Sequence, residues 1–315
     1  MISIVVPVFN EEENMEAFYQ AICSVMEKLP HSFELIFVDD GSKDATPMVI
    51  DRLSQKDSRV RGLILARNFG HQIALSCGLD HAKGDAVITM DGDLQHPPEL
   101  LPQLIEQWQN GYEVVQTIRL TTEGVSWVKK LTSSCFYRLM NAVSKVRVRE
   151  GGSDFRLLDR KVVQTFRRFP ERARFIRGMM GAIGYRQTTL DFVAPPRYAG
   201  VSKFSPTKML HFALDGITAY SKLPLRIAFY AGLVFGVVSF ALALHVVYIK
   251  FLTDEAVPGW ATIAASISLL SGVQLMGLGI IGEYVGRIFE EVKQRPLYWL
   301  RQEIGLGGKG DSKES

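Results

Sequence analysis

Two stretches near the end of the chain run for more than 20 residues without a formal charge: IAFYAGLVFGVVSFALALHVVYI from Ile227 to Ile249 and ATIAASISLLSGVQLMGLGIIG from Ala261 to Gly282. As a helix each is long enough to cross a bilayer core of roughly 30 Å. A pair of buried core helices is the alternative, but such helices normally keep a polar face, and the strongly polar side chains inside these runs are His245 and Gln274. Lys222 and Arg226 precede the first run and Arg287, Lys293 and Arg295 follow the second, whereas the loop from Phe251 to Trp260 holds Asp254 and Glu255 and no Lys or Arg. The positive-inside tendency then puts both ends in the cytoplasm and the short loop outside, with Lys250 snorkelling at the outer end.

Upstream, short apolar β-branched runs alternate with longer amphipathic stretches: ISIVVPV, FELIFVDD, VRGLILAR and DAVITMDGD are each followed by 11 or more residues of helical character. That alternation predicts an α/β fold with a mainly parallel sheet and helices on both faces. Further strands are expected at 113–118 and 184–192, a helix at 127–145 and a basic loop at 195–203. The segment 205–223 fits either a helix lying at the membrane surface or an ordinary amphipathic helix packed on the domain. The expected organisation is a domain over 1–203, a juxtamembrane helix over 204–225, two transmembrane helices within 226–284 and a C-terminal segment over 285–315 that is partly disordered.

The strand-like start at Ile2–Val6 does not read as a cleaved signal peptide, so insertion is expected to rely on the C-terminal spans. Cys23, Cys77 and Cys135 are odd in number and widely spaced, which points to core positions rather than to a disulfide framework or a zinc site. The net charge of +3 gives no argument for nucleic acid.

Ligands of an open α/β sheet gather at the carboxyl ends of its strands. The first strand ends in Pro7-Val8-Phe9-Asn10-Glu11, the second in Asp39-Asp40-Gly41-Ser42 and the fourth in Asp91-Gly92-Asp93. An Asp-x-Asp step can hold a hard divalent cation that bridges phosphate oxygens, and the small Gly92 lets a ligand approach the backbone. Isolated, the tripeptide is common in surface turns, and one of Asp39 and Asp40 reads equally well as a cap for the helix that starts near Asp44. Four carboxylates at one crevice need a cation or hydrogen-bond donors to compensate them. His71, His96 and His211 have no partner visible in the sequence and read as structural or peripheral.

The series VVPVFNEEEN, FVDDGSKDAT, RNFGHQIALSCGLDHAKGD and MDGDLQHPPEL resembles the inverting family 2 glycosyltransferases. GGSDFRLLDRKVV, RYAGVSKFS and GEYVGRIFEEVKQRPLY look like the polyprenyl-phosphate branch, which includes the bactoprenol glucosyltransferases and is related to dolichol-phosphate mannose synthases. The resemblance runs from Ile2 to about Tyr298 and implies a GT-A (Rossmann-like) catalytic domain.

It implies that Pro7, Phe9 and Glu11 contact the base and ribose of a nucleotide sugar, with Val38 and Asp40 beside the base. Phe9 stands where a tyrosine is common. Asp91, Gly92 and Asp93 would hold Mg²⁺ or Mn²⁺ and the diphosphate, Asp93 as the more direct ligand, with Gln95 next to them. Gly92 replaces a common alanine, a change expected to matter little. Arg119, Arg197 and Lys203 are candidates for gripping the acceptor phosphate and the departing diphosphate. Asp154 would act as base, or orient the acceptor, or pair with Arg156.

The implied activity is transfer of a sugar from a nucleotide donor, UDP-linked or GDP-linked, to polyprenyl phosphate at the cytoplasmic face of the inner (plasma) membrane. Gly272, Gly277, Gly279 and Gly282 suggest close helix packing and a homo-oligomer, with the family's tetramer as the natural guess. The rival class is a catalytically silent membrane protein that binds a nucleotide sugar or lipid phosphate. A polysaccharide synthase is disfavoured because the Gln-x-x-Arg-Trp motif is missing. Which sugar is moved, and into which glycolipid or polymer, stays open.

Overall fold

Every residue from Ile2 to Val8 is buried, and so is every residue from Phe33 to Asp39. Only strands covered on both faces can be buried in this way. The computed structural model describes residues 1–120, 152–172, 174, 176–193, 195, 223–252 and 259–305. Arg197, Lys203, His211, Cys135, the helix expected at 127–145, most of the basic loop, the segment 205–222 and the loop residues Asp254 and Glu255 lie outside the described residues.

The elements in chain order are β1 (Ile2–Val8), α1 (Met15–Met26), β2 (Phe33–Asp39), α2 (Thr46–Lys56), β3 (Val60–Leu65), α3 (His71–His81), β4 (Ala86–Thr89), α4 (Leu101–Gln109) and β5 (Val114–Leu120). Then follow β6 (Gly152–Asp159), α5 (Arg160–Arg167), α6 (Ile176–Ala182), β7 (Gln187–Val193), α7 (Leu223–Leu252), α8 (Trp260–Val292) and β8 (Leu300–Ile304). The described residues fall into two units, one of 1–195 with 295–305 and the other of 223–294.

The first unit is built on one sheet of order β7-β5-β6-β4-β1-β2-β3-β8. Strands β3, β2, β1 and β4 run parallel, as do β5 and β7, while β6 and β8 are antiparallel to their neighbours. Period-two alternation sorts the core. Ile2, Ile4, Val6 and Val8 join Phe33, Leu35 and Phe37 under α1, α2 and α4, while Val5, Ile36 and Val38 face α3, α5 and α6. On that second face a Cβ at Gly78 would collide with Val5 Cγ1, so the missing side chain sets how closely α3 lies on β1.

Two strands are absent from the expectation above. Strand β6 carries Ser153, Asp154 and Arg156 in the middle of a buried run, and these polar residues disguise its pattern. It enters antiparallel between β4 and β5, so its first residues reach the edge where β4 and β5 end. Strand β8 pairs with the edge of β3 through Leu300, Gln302, Glu303 and Ile304, and its Arg301, Gln302 and Glu303 are exposed. Charged residues on a short edge strand suit a protected sheet border.

In the second unit, α7 and α8 are long and apolar enough to cross a membrane, and none of their apolar windows, Pro224–Ala241 and Leu269–Val292, is buried within the chain. That exposure, with Phe240 and Met276 each more than two-thirds open, does not fit core helices of a soluble domain. Helix α8 runs ten residues past the uncharged stretch that ends at Gly282, and its extension carries the Glu283–Arg287 ion pair at 3.1 Å.

Candidate active site

The loops at the carboxyl edge are tied together by short polar side chains. Asn10, in a left-handed conformation, donates its N–H to Ser42 Oγ at 2.8 Å and accepts from Lys43 N–H at 2.8 Å. Glu11 N–H donates to Thr46 Oγ1, and the Glu11 carboxylate accepts from Asn14 Nδ2 at 2.6 Å. Phe9 is half-buried beside them. Pro7 and Val38 pair in register on β1 and β2, and the Val38 side chain is wholly buried against α3.

The acidic pair at the end of β2 is satisfied by backbone donors. Asp39 accepts from Ser42 N–H at 3.2 Å, and Asp40 accepts from Phe69 N–H at 2.7 Å and Gly70 N–H at 2.9 Å. Burial raises both carboxyl pKa values above the usual range, and these hydrogen bonds offset only part of that rise. Asp40 is 4% exposed and fastens the loop between β3 and α3. Gly41 has φ +71° and lies under that loop, where a Cβ would come within 2.5 Å of the Arg67 carbonyl carbon. Both its conformation and its clearance require glycine.

Asp91 follows β4 and lies beside the start of β6. Its side chain is 38% exposed, yet its Oδ1 atom is buried and has no hydrogen-bond partner among the described residues. The Nε2 atom of His71, at the head of α3, stands 3.6 Å from Asp91 Oδ1 and 3.6 Å from Asp154 Oδ2. Asp154 is the buried partner of Arg156, whose Nη2 donates to it at 2.7 Å, and it also accepts from Gln72 Nε2 at 3.2 Å. Of the roles open to Asp154 from the sequence, the pairing with Arg156 is therefore present in the structure. Asp93 accepts from Gln95 N–H at 3.1 Å. Arg119 is exposed at the end of β5.

The structure thus brings Asp91, Gly92, Asp93, Gln95 and Asp154 to one edge of the sheet, with Pro7, Phe9, Glu11 and Asp40 on the neighbouring strand ends and loops. It also brings in two residues that the sequence reading set aside. His96 is buried, with Nδ1 2.8 Å from Asp91 N and Nε2 2.8 Å from Ser153 Oγ, and His71 stands between two carboxylates. One signal was present: His96 closes the turn that Pro97 ends, five residues after Asp91.

The donor set at the turn fits a hard cation. Two oxygen ligands are what Mg²⁺ takes from a protein before phosphates and water complete its shell, and the unmet Asp91 Oδ1 is a buried acceptor that such an ion would satisfy. Among the described residues no group of three or more His, Cys, Asp or Glu side chains forms a closed metal cage.

Residues 3–167 match the model of glycosyl transferase family 2, and residues 223–288 match the GtrB C-terminal hairpin. The chain belongs to glycosyl transferase family 2. Among its relatives, the bactoprenol glucosyl transferase of Shigella phage SfII is 42% identical over 96% of this chain and 97% of its own length. The uncharacterized glycosyltransferase YkcC of Bacillus subtilis is also 42% identical, over 98% of this chain and 95% of its own. Mannosyl-3-phosphoglycerate synthase from Rubrobacter xylanophilus, 16% identical, superposes with a TM-score of 0.50 over 70% of this chain and 72% of that one, a likeness of fold. The family 2 match ends with α5, so it contains the strand ends with Asp40, Asp91, Asp93 and Asp154. The hairpin match spans α7 and most of α8.

Proposed function

We propose that this family 2 enzyme is an inverting glycosyltransferase that moves a sugar from a nucleotide donor, UDP-linked, to polyprenyl phosphate at the cytoplasmic face of the inner membrane. The observation that carries the reading is the carboxylate set of Asp91, Asp93 and Asp154 at one sheet edge. It stands in a chain 42% identical, almost end to end, to proteins named bactoprenol glucosyl transferases. The spans α7 and α8 bring such a chain to a lipid substrate, and the charges flanking them support the cytoplasmic orientation.

In the proposed reaction Pro7, Phe9 and Glu11 border the base and ribose, and Asp40 holds the β3–α3 loop next to them. Val38 supports this floor from within the core. Asp91 and Asp93 hold Mg²⁺ or Mn²⁺, and Gln95 steadies the same turn. When bound, the cation supplies Lewis-acid stabilisation of the departing diphosphate. Arg119 serves the phosphates from the end of β5, and Arg197 and Lys203 are assigned the acceptor phosphate. A lipid phosphate is anionic at neutral pH, so its oxygen needs placement and charge neutralisation rather than a strong base. Attack forms the bond from phosphate oxygen to anomeric carbon on one face. The bond to the diphosphate breaks on the other, the nucleoside diphosphate leaves with the electron pair, and no proton need move. Asp154, salt-bridged to Arg156, orients the acceptor.

The homo-oligomer, taken as a tetramer, rests on Gly272, Gly277, Gly279 and Gly282, where an added Cβ would meet nothing within 4 Å in the single chain. The full-length protein, incubated with undecaprenyl phosphate, Mg²⁺ or Mn²⁺ and a panel of UDP- and GDP-sugars, is expected to give a glycolipid on thin-layer chromatography with a UDP-sugar. Asp93→Ala should abolish it. Nucleotide binding with no product from any donor would favour the silent binding protein instead.

A further inference from the structure

His96 takes no part in the reaction above, yet its side chain joins the two halves of the site. It is 6% exposed. Strand β4 pairs with β1 as far as Thr89, and Met90 N–H still reaches Val5 O at 3.1 Å. Asp91 is the first residue beyond that ladder, and its N–H is taken by His96 Nδ1 at 2.8 Å. A ring nitrogen that accepts from a backbone N–H carries no proton, so the proton of the neutral ring sits on Nε2. Nε2 therefore donates to Ser153 Oγ at 2.8 Å, an oxygen that also accepts from Phe155 N–H at 3.2 Å. The ring stacks on Phe155 with centroids 5.1 Å apart and planes 19° apart, and Phe192 meets its edge at 6.0 Å.

Between the two ends of this link the chain makes a tight turn. Leu94 takes φ +59°, a conformation that costs a non-glycine residue energy unless its surroundings hold it. The His96 link and the Gln95 N–H bond to Asp93 Oδ1 close the turn around it. One bond fixes the backbone of Asp91 and the other end of the same ring fixes Ser153, the residue before Asp154.

We propose that His96 is a positioning residue that sets the Asp91-Gly92-Asp93 turn against the Asp154 strand, and so fixes the place where cation and diphosphate bind. This rests on the donor-site reading of Asp91 and Asp93.

The test is calorimetric binding of Mn²⁺ together with UDP to the full-length protein, with thermal melting to verify folding. His96→Phe keeps the stack on Phe155 and removes both polar ends, and it should weaken Mn²⁺·UDP binding about 10–100-fold, the usual effect of losing the partner that orients a ligand. His96→Asn keeps an acceptor where Nδ1 stood and should bind within roughly a factor of three of the wild type. Ser153→Ala, which loosens the far anchor, should fall between. In a folded His96→Phe protein, wild-type affinity would overturn the proposal, and so would an equal loss in His96→Asn. Should His96→Phe not fold, His96→Asn and Ser153→Ala decide on the same scale. A wild-type protein that binds Mn²⁺·UDP but forms no glycolipid would sink the transfer reading while leaving this one judged on binding; one that does not bind Mn²⁺·UDP overturns both.

Discussion

Glu34 and Asp91 are acidic residues at opposite edges of one sheet, and the chain treats them in opposite ways. At the amino edge Glu34 accepts from Ser3 Oγ at 2.5 Å, Lys83 N–H at 2.8 Å and Arg61 Nη1 at 3.0 Å, and is 7% exposed. At the carboxyl edge Asp91 has imidazole nitrogens at 3.6 Å, beyond hydrogen-bond range, and a buried Oδ1 that no donor among the described residues meets. A carboxylate that holds a fold together is saturated by its own chain. One that serves a ligand keeps acceptor capacity in reserve, and the protein bears the cost in the free state.

The sharpest way to break this comparison is to remove each carboxylate. Glu34→Ala leaves Arg61 buried without its anion, and loss of one partner of a buried pair costs about 3–5 kcal/mol. Thermal melting of the full-length protein should show that loss, while the kcat of the molecules still folded stays near wild type.

Asp91→Ala should do the reverse. The carboxylate accepts little from its surroundings, so melting should barely move. The rate of glycolipid formation should fall about 10²–10³-fold, the scale for losing one group that stabilises transition-state charge. Equal destabilisation by both substitutions would erase the distinction between the two edges.

A third, smaller effect concerns the chain that returns after α8. Tyr298 donates to Asp80 Oδ2 at 3.0 Å, the Trp299 ring lies 6.2 Å from Phe69, and Ala66 N–H donates to Trp299 O at 2.8 Å. These contacts brace α3 and the loop that Asp40 holds. Tyr298→Phe leaves the Asp80 carboxylate short of a donor, at a cost of about 1–3 kcal/mol. Burial already raises the Asp80 pKa, and the tyrosine bond lowers it. A raised carboxyl pKa contributes stability at low pH that is lost as pH rises through it. Removing the hydroxyl raises it further, so the melting penalty should be larger at neutral than at acid pH.

What the sequence disclosed follows the same division. Strands β1 to β4 are legible because burial on both faces makes them nearly continuous apolar runs. Strand β6 is not, because Ser153, Asp154 and Arg156 break its pattern to serve the site, and β8 is hidden because an edge strand can be as polar as Arg301-Gln302-Glu303. Asp91 and Asp93 are visible because charge at a strand end is conspicuous. The role of His96 is not, because one partner is a backbone N–H and the other, Ser153, is 57 residues away. Alternation along β2 also carries the burial of Val38, which shares its face with Ile36.

The mildest test concerns the residue between the two carboxylates. A Cβ on Gly92 would sit 3.0 Å from Val8 Cγ1 and 3.4 Å from Val6 Cγ1, so the turn rests almost directly on β1. Alanine needs a shift of a few tenths of an ångström, which a valine rotamer or the turn can supply for less than about 1.5 kcal/mol. Gly92→Ala should therefore retain activity to within roughly tenfold, since about 1.4 kcal/mol corresponds to one decade in rate. Gly92→Val adds two methyl groups against a wholly buried strand and should lift the turn away from β1. If position controls the site, its glycolipid rate should fall toward that of Asp91→Ala with both carboxylates still present. Near-wild-type activity in Gly92→Val would mean that the carboxylates work without the fixed turn, and the contrast between the two sheet edges would then rest on charge alone.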